Sequence, residues 1–518
     1  MIKEIIAETT AGKICGIEER GVLAFKGVPY GAPTGGKRRF LPPEPVAPWE
    51  GIRYAGDFGP ICPQTGHLVD EARIFTYVRT EGHIRYLPPS ENCLVLNVWT
   101  PATADGKKRP ILVWLHGRGY AQGAGSETQY NGANMAKRGD AVVITINHRL
   151  NVFGYLYLEE LIGPEYAGSG IAGMLDAELA LKWVHDNAAA FGGDNSRVLI
   201  FGESGGGAKV STMLAMPSAK GLFNRAVIQS GAALRGVEKK DASDIAERLF
   251  AALNLKKTEI NKLQEVPAQQ LLDALNKLPE REAVTAGTPR GGIMRFGPVV
   301  DGKFMPTNQF DPVAAPSGLN VPVMVGTLRD EQATFLAGDP RRRRLSEAEL
   351  RQRLIPLCGD RVDSIIATYK KSRPEATPWD LLIGIQSEGA RRSSITLAER
   401  KAAAGGAPAY MYLVTYQSDF LGGLFKAGHG VEIAYVFDVV DDVPYVGSKP
   451  DRYEFAAAMS EAWLAFARTG NPSHPGIPKW EPYDTKNRAT MVFDMPSRLV
   501  NDPYRNELDA WKGMEIRR

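Results

Sequence analysis

Short runs of apolar residues alternate along the chain with stretches in which apolar residues recur at helical spacing. The short runs are nearly continuous rather than alternating, which is typical of strands buried on both faces of a parallel sheet. We predict strands at Ile111–Leu115, Ala141–Ile146, Val198–Phe201, Ala226–Ile228, Val321–Val325, Tyr410–Tyr416 and Thr490–Phe493. Between them, Met174–Phe191 and Tyr453–Arg468 end at glycine-containing turns and predict helices.

Strands that alternate with helices predict an α/β fold with a large, mostly parallel central sheet flanked by helices. Two segments interrupt the alternation, because Asp241–Lys277 and Ser346–Ala404 are helix-rich and lack buried-strand runs. We interpret residues 235–320 and 338–405 as helical insertions over the carboxyl edge of the sheet, where they form part of a cap. The chain, residues 1–518, is then expected to be a single domain.

Composition excludes several classes of protein. Hydrophobic residues make up 44% of the chain, charged residues 23%, and the net charge is +3. This is ordinary for a globular protein and unlike a disordered chain. Because positive and negative residues nearly balance, composition indicates no strongly basic surface that would attract nucleic acid or an anionic membrane. We therefore expect a soluble protein with no nucleic-acid or membrane partner.

The ends of the chain bear on its compartment. No segment reaches the roughly 18 apolar residues needed to span a bilayer. Met1–Ala7 carries charged residues and lacks the apolar region of a signal peptide. We expect a cytoplasmic protein, or a secreted or periplasmic one if a leader has been removed.

The strongest chemical signal is the run GESGG at Gly202–Gly206, which follows a predicted strand and precedes a helical stretch. G-x-S-x-G between a strand and a helix is the nucleophile elbow of serine hydrolases. Its glycines permit the strained turn that lifts the serine Oγ above the sheet, and the helix N-terminus favours developing negative charge. Ser204 is therefore the candidate nucleophile.

A serine hydroxyl needs a base, and the base needs an orienting acid, in the chain order Ser, acid, His. Only His429 and His474 follow the candidate nucleophile. His474 lies in a proline-flanked turn and is interpreted as structural, whereas His429 lies between two glycines that allow its imidazole to approach the serine. Asp330 and Glu331 both follow a predicted strand, and their spacing alone does not choose between them.

An oxyanion hole must present backbone N–H groups to the developing negative charge. The loop HGRGY at His116–Tyr120 follows a predicted strand and matches the HGGG-type loop except at Arg118. A dinucleotide fingerprint fails here because Gln122 stands where a third glycine is required. The chain also contains no Walker A sequence and no metal-spaced His/Cys cluster. These patterns predict acyl transfer through serine, with no cofactor and no metal.

Further segments carry a family resemblance. They are FKGVPY at Phe25–Tyr30, SENCLVLNV at Ser90–Val98, NHRL at Asn147–Leu150, FGGD at Phe191–Asp194 and WLAFARTGNP at Trp463–Pro472. With GESGG, they resemble the type-B carboxylesterases, which include cholinesterases and, closest in look, bacterial nitrobenzyl esterases. The resemblance implies an α/β-hydrolase that acts as a serine carboxylesterase on carboxylic esters. We expect a monomer or a small homo-oligomer.

The resemblance also implies site residues. The family's nucleophile falls on Ser204, its base on His429 of an H-G-x-E motif, and its acid on Glu331, which resolves the choice left open above. Ser230 matches a buried serine that supports the catalytic triad, and Glu203 is expected to support it as well.

The family's oxyanion donors fall on Arg118, Gly119 and Gly205. Because the donors are backbone groups, Arg118 can still serve. Its side chain is expected to face outward, to contact an anionic group of the substrate, or to impair hydrolysis.

The family's early disulfide falls on Cys62 and Cys93, which are expected to be bonded if the protein is exported and to be buried thiols otherwise. The acyl and alcohol pockets are expected from Gln64–Pro89, Pro289–Phe296 and the insertions. Alternatives to ester hydrolysis are carbamate or amide hydrolysis with the same triad, and a non-catalytic binding protein on the same scaffold.

Overall fold

The strands form one large sheet in the computed structural model, which describes residues 5–65, 87–278, 296–342 and 344–516. In chain order they are β1 Ile5–Thr9, β2 Gly12–Glu19, β3 Val22–Pro29, β4 Ile52–Tyr54, β5 Val95–Thr100, β6 Arg109–Leu115, β7 Val142–Ile146, β8 Gly193–Glu203, β9 Arg225–Gln229, β10 Val323–Leu328, β11 Ala409–Val414, β12 Ala489–Phe493 and β13 Arg498–Asn501.

Helices of very different length connect these strands. They are α1 Ala133–Gly139, α2 Asn151–Tyr155, α3 Ala172–Asn187, α4 Gly205–Ala215, α5 Lys239–Ala252, α6 Ile260–Glu265, α7 Ala268–Lys277, α8 Gln332–Leu336, α9 Glu347–Cys358, α10 Val362–Ser372, α11 Pro378–Ala403, α12 Ile433–Val436, α13 Arg452–Thr469 and α14 Arg505–Asp509. Phe420–Gly423 forms one irregular turn, in which Leu421 and Gly422 are left-handed. None of the described helices is both long enough and apolar enough to cross a membrane.

The middle of the sheet is parallel. Its strand order is β7-β6-β8-β9-β10-β11-β12, and every neighbouring pair in this run is parallel. Every residue of β6, β7, β10 and β11 is buried, as expected for strands covered on both faces. All seven predicted strands are therefore confirmed, with bounds that differ from the predictions by a few residues.

Both flanks of the sheet are largely antiparallel, and the apolar runs did not predict them. On one side β7 continues through β5, β3, β2 and β1, and on the other β12 pairs with β13. The edge strands are only partly buried: β2 alternates buried and accessible residues, and β13 has no buried residue. Such strands lack the continuous apolar runs used for the prediction.

Each of the two predicted helices is followed by a glycine in the left-handed conformation. α3 is followed by a 3-10 turn at Ala188–Phe191, and Gly192 then adopts a left-handed φ of 68°. α13 ends at Gly470, which is left-handed with a φ of 77° and donates its N–H to the carbonyl of Phe466. Left-handed glycine is the common way to end a helix.

The two helix-rich segments form the predicted helices. The first contains α5, α6 and α7, and the second contains α9, α10 and α11. The second has an apolar cluster of its own, to which Leu350, Ile365, Tyr369, Leu382 and Trp511 contribute. Its longest helix, α11, also packs on β10 and β11. That these segments form a cap stays a prediction.

Candidate active site

Ser204 lies at the junction between β8 and α4, with φ 57° and ψ −119°. A residue other than glycine pays about 1–3 kcal/mol for such a backbone, so the surrounding structure must enforce it. The N–H of Ser204 donates to the carbonyl of Gln229 at 2.8 Å. A Cβ on Gly206 would overlap the carbonyl oxygen of Leu115, which explains why glycine is needed beside the elbow. The strained turn predicted from the sequence is present.

The two candidate acids point to different partners. Glu331 Oε2 lies 2.5 Å from His429 Nδ1. Asp330 instead pairs with its neighbour Arg329, whose Nη2 lies 3.0 Å from Asp330 Oδ2. The structure therefore brings Glu331, and not Asp330, to the imidazole.

The carboxylate of Glu331 is held by two further donors. Its Oε1 accepts a hydrogen bond from Ser230 Oγ at 2.6 Å and another from the N–H of Leu328 at 2.9 Å. Its backbone carbonyl accepts the N–H of His429 at 3.2 Å. Ser230 directly follows β9 and Leu328 ends β10, so the ends of two neighbouring strands orient the carboxylate.

The other nitrogen of His429 faces a second carboxylate. Nε2 lies 3.0 Å from Glu203 Oε1, next to the nucleophile in sequence. The contact is not aligned as a hydrogen bond, and both Glu203 oxygens are buried with no hydrogen-bond partner in the described part of the chain. The ring of Phe335 lies 4.9 Å from the imidazole. His474 joins its turn to α13, because its Nε2 lies 3.0 Å from the carbonyl oxygen of Ala458, in keeping with a structural role.

A third carboxyl group, Glu432, interacts electrostatically with Glu203 and Glu331. It is fully buried, and burial, followed by the charges of Glu203 and Glu331, raises its pKa to about 8. Gln229 Nε2 donates to Glu432 at 3.3 Å, and the Oε1 of Gln229 accepts from Trp463 at 3.1 Å. Glu432 is therefore mainly protonated at neutral pH. Sequence reasoning gave it no role, although an acidic residue directly before an apolar run is a usable signal.

The predicted oxyanion loop packs directly against the elbow. Arg118 and Gly119 follow β6 with left-handed φ values of 65° and 63°. A Cβ on Gly205 would overlap the backbone nitrogen and Cα of Gly119, so the loop approaches only because residue 205 is glycine. The structure thus brings the three predicted donor residues together.

The side chain of Arg118 turns inward. Its Nε lies 3.3 Å from Glu127 Oε1, and the two side chains are 18% and 1% exposed. Glu127 also accepts a hydrogen bond from Gln129 at 2.6 Å. The expected outward-facing arginine is therefore wrong, because a buried carboxylate holds its guanidinium.

Lys209, in the first turns of α4, is a residue that sequence reasoning missed. It is fully buried, and its Nζ donates to the carbonyls of His116 at 2.8 Å and Gly119 at 2.9 Å. Burial lowers the pKa of Lys209 to about 7, and the charge of Glu203 opposes that shift. A single charged residue in the helix directly after an elbow is the signal that could have found it.

Two buried histidines lie close to this lysine. The rings of His116 and His148 stack at 4.8 Å with an interplanar angle of 7°. Burial, with the charge of Lys209 next, lowers the pKa of both well below the ordinary histidine value. The two imidazoles are therefore neutral, and His116 Nδ1 lies 3.1 Å from the carbonyl oxygen of Gly117.

A family model described as "Carboxylesterase family" matches residues 3–511. The chain belongs to the carboxylesterase family. It is 33% identical over 505 residues to the para-nitrobenzyl esterase of Bacillus subtilis (strain 168), covering 96% of both chains. It is 31% identical to the phenmedipham hydrolase of Pseudarthrobacter oxydans, covering 95% of both.

Solved structures agree with this assignment. The Geobacillus stearothermophilus carboxylesterase matches with a TM-score of 0.82 at 36% identity, covering 98% of this chain and 100% of the other. An esterase from Clostridium hathewayi, described as hydrolysing aliphatic aromatic polyesters, matches with a TM-score of 0.82 at 33% identity, covering 98% of both. The predicted α/β-hydrolase fold is confirmed, and the protein is a carboxylic ester hydrolase.

The cysteine pair that the family resemblance indicates in this carboxylesterase, Cys62 and Cys93, is reduced in the structure. Cys62 and Cys93 are buried and unbonded, so the disulfide expected for an exported protein is not formed there. The two are nevertheless neighbours, since a hydrogen bond with Cys62 is the main cause, ahead of burial, that raises the pKa of Cys93. Proximity fixes which thiols could pair, whereas the surrounding redox conditions decide whether they do.

Most of the predicted pocket segments of the carboxylesterase lie outside the described residues. Of Gln64–Pro89 the structure describes Gln64, Thr65 and residues 87–89, and of Pro289–Phe296 it describes Phe296. The predicted contributions of these segments to the acyl and alcohol pockets remain predictions.

Proposed function

We propose that this carboxylesterase hydrolyses small-molecule carboxylic esters through an acyl-enzyme on Ser204, with His429 as base and Glu331 as orienting acid. The observation that carries the proposal is the 2.5 Å contact between Glu331 Oε2 and His429 Nδ1. The opposite nitrogen of the same ring lies beside Glu203, the residue that directly precedes the elbow serine. These two contacts support a site in which His429 lies between its orienting acid and the strained elbow that carries Ser204.

Acylation begins when Ser204 Oγ attacks the ester carbonyl carbon and its proton passes to His429 Nε2. An Oγ–C bond forms, and the carbonyl π pair moves to oxygen as an oxyanion. When the tetrahedral intermediate collapses, the bond to the alcohol oxygen breaks and His429 returns the proton to that oxygen. The alcohol leaves, and the acyl group stays on serine.

Deacylation repeats these steps with water in place of serine. Water attacks the acyl carbon and loses a proton to His429, and the bond between carbon and Ser204 Oγ then breaks. The imidazolium protonates the departing serine, and the carboxylic acid is released. Every proton is carried by groups of the chain, so the proposed mechanism uses no cofactor.

Glu331 orients the imidazole and stabilises the imidazolium that forms in both halves of the reaction. The hydrogen bond from Ser230 and the N–H of Leu328 keep its carboxylate in place. Glu203, on the other side of the ring, places a second negative charge 3.0 Å from Nε2. Both carboxylates favour the charged form of His429.

The oxyanion is stabilised by backbone N–H groups of Arg118, Gly119 and Gly205. Removing one such donor from an oxyanion hole slows the reaction by roughly 10²–10³-fold. The close packing of Gly119 on Gly205 supports this assignment, since the donors must converge on one point. The insertions, residues 235–320 and 338–405, would then form the walls that hold the substrate above the donors.

The test is a p-nitrophenyl ester chain-length series, chosen because cleavage of each ester releases p-nitrophenolate, which absorbs visible light. The Ser204→Ala variant should lose at least about 10³-fold in kcat together with any pre-steady-state burst. Ser364→Ala, an exposed serine in α10, should keep full activity. Turnover that survives in Ser204→Ala would reject the acyl-enzyme, and the chain-length profile of the wild type measures the acyl pocket.

A further inference from the structure

We propose that Lys209 is a positioning residue that clamps the oxyanion loop from behind. The inference rests on the proposed function, because it assigns a residue to the same catalytic site. Nζ of Lys209 reaches the carbonyl of His116 on one side and that of Gly119 on the other, at 2.8 and 2.9 Å. One amino group therefore spans the segment 116–119, which contains two of the three proposed donors.

The clamp acts on peptide planes. A peptide unit is rigid, so a carbonyl held by a hydrogen bond also fixes the direction of the N–H that follows it. Lys209 fixes two peptide units, namely the one that contains the carbonyl of His116 and the one that contains the carbonyl of Gly119. The unit between Gly117 and Arg118 is fixed by His116, whose Nδ1 lies 3.1 Å from the Gly117 oxygen. The unit that carries the Gly119 N–H is held between these fixed neighbours.

The loop needs such a clamp because its backbone is unfavourable without one. Arg118 and Gly119 are both left-handed, at φ 65° and 63°. The left-handed region disfavours any side chain with a Cβ, and Arg118 carries one where the HGGG-type pattern has glycine. A loop with this strain would relax if its carbonyls were released, and its N–H groups would leave the oxyanion.

Fold stability does not account for a lysine at this position. Lys209 is fully buried, and burying an amine is unfavourable compared with burying an apolar side chain of the same length. A cation in the first turns of α4 also opposes the positive end of the helix dipole. What the amine does supply is donors to two carbonyls that line the back of the loop. The ring of Tyr120 lies 5.6 Å from Nζ, and the charge of Glu203 also acts on the amine, opposing the fall in its pKa.

The first test replaces Lys209 by Met, which has a similar length and no donors. We expect kcat for p-nitrophenyl acetate to fall 10- to 100-fold while KM stays within threefold. The affinity for a trifluoromethyl ketone, which adds to serine as a tetrahedral adduct, should fall by the same factor as kcat. The melting temperature should not decrease. Lys182→Met, at an exposed lysine on α3, should match the wild type in every measurement.

A second test asks whether Lys209 acts through the loop. In an Arg118→Gly background the left-handed conformation no longer requires enforcement. The effect of Lys209→Met on kcat should therefore be at least threefold smaller there than in the wild type. Additive effects of the two substitutions would overturn the clamp, because residues that act independently show no coupling.

The outcomes separate this inference from the proposed function. Ester hydrolysis that persists in Ser204→Ala would reject the mechanism, whatever Lys209 does. Suppose instead that Ser204→Ala abolishes hydrolysis but Lys209→Met keeps kcat and ketone affinity within twofold of wild type. That combination would overturn the clamp and leave the proposed function intact. If Lys209→Met does not fold, Lys209→Gln decides: its side chain is one bond shorter, so kcat and ketone affinity should fall at least fivefold at unchanged KM. Wild-type values in Lys209→Gln would then overturn the proposal.

Discussion

Glu203 and His429 form a contact that lies opposite the one between His429 and Glu331. Oε1 of Glu203 is 3.0 Å from Nε2, and Glu331 Oε2 is 2.5 Å from Nδ1, so the imidazole lies between two carboxylates. Glu203 is completely buried, which leaves little water to screen its charge. In the proposed mechanism, a proton that Nε2 accepts from Ser204 would lie beside this carboxylate.

Glu203→Gln should slow catalysis without preventing folding. The substitution keeps the shape of the side chain and removes the charge that stabilises the imidazolium on its Nε2 side. We expect kcat for p-nitrophenyl butyrate to fall by about 10- to 100-fold, or roughly 1.4–2.7 kcal/mol in the barrier. Glu454→Gln, at an exposed glutamate of α13, is the matched control. An unchanged kcat would show that Glu203 has no part in stabilising the imidazolium.

Substitutions of Glu331 and of Ser230 should lower kcat by very different factors. Glu331→Gln removes the charge beside Nδ1 and should lower kcat by about 10³–10⁴-fold. Ser230→Ala removes one donor to that carboxylate but leaves the N–H of Leu328 in place, at 2.9 Å. A lost hydrogen bond to a charged group is worth about 1.5–3 kcal/mol, so a decrease in kcat of roughly 10- to 160-fold is expected. Steady-state kinetics of both variants on one ester measure the ratio, and equal losses would contradict the supporting role of Ser230.

The sequence could predict the parts of this site that follow from strand ends or from the order of motifs along the chain. Motif order and strands buried on both faces can both be recognised in the sequence. They identify Ser204 and His429, and they narrow the acid to Asp330 or Glu331. The motif resemblance then selected Glu331. The structure agrees, since Asp330 turns to Arg329 instead.

The missing residues depend on contacts between segments that are distant in sequence. Lys209 binds carbonyls about 90 residues away, and Glu432 hydrogen-bonds to Gln229, 203 residues away. Whether a lysine or a glutamate is buried is decided by the packing around it, and hydrophobic patterns report only where apolar residues go. The edge strands β1 and β13 were missed for a related reason, because partly exposed strands lack a continuous apolar run.

Glu432 should make stability depend on pH. Its pKa is raised from 4.5 to about 8 in the folded protein, chiefly by burial. Between these values the folded state holds a proton that the unfolded state has lost, so the stabilisation is complete below pH 4.5 and is lost as pH rises through 8. The slope is at most about 1.4 kcal/mol per pH unit for one proton. The melting temperature of the wild type should therefore decrease between pH 5 and 9.

Glu432→Gln removes the titrating group and keeps a neutral side chain of the same shape. Its melting temperature should decrease less over the same pH range. The melting temperature of the variant relative to that of the wild type should therefore be higher at pH 9 than at pH 5. Glu454→Gln should follow the wild-type curve. Parallel curves for wild type and Glu432→Gln would show that this carboxyl group does not hold a proton in the folded protein at neutral pH.

Arg118→Gly should affect neutral and carboxylate-bearing esters equally. The guanidinium of Arg118 pairs with Glu127 at 3.3 Å, and that carboxylate is 1% exposed. A positive charge already neutralised by a buried partner attracts a substrate anion weakly, and the glycine restores the residue that a left-handed backbone favours. We expect the ratio of kcat/KM for a p-nitrophenyl ester and its carboxylate-bearing analogue to change less than threefold. A loss confined to the anionic ester, relieved by raising the salt concentration, would instead assign Arg118 to substrate recognition.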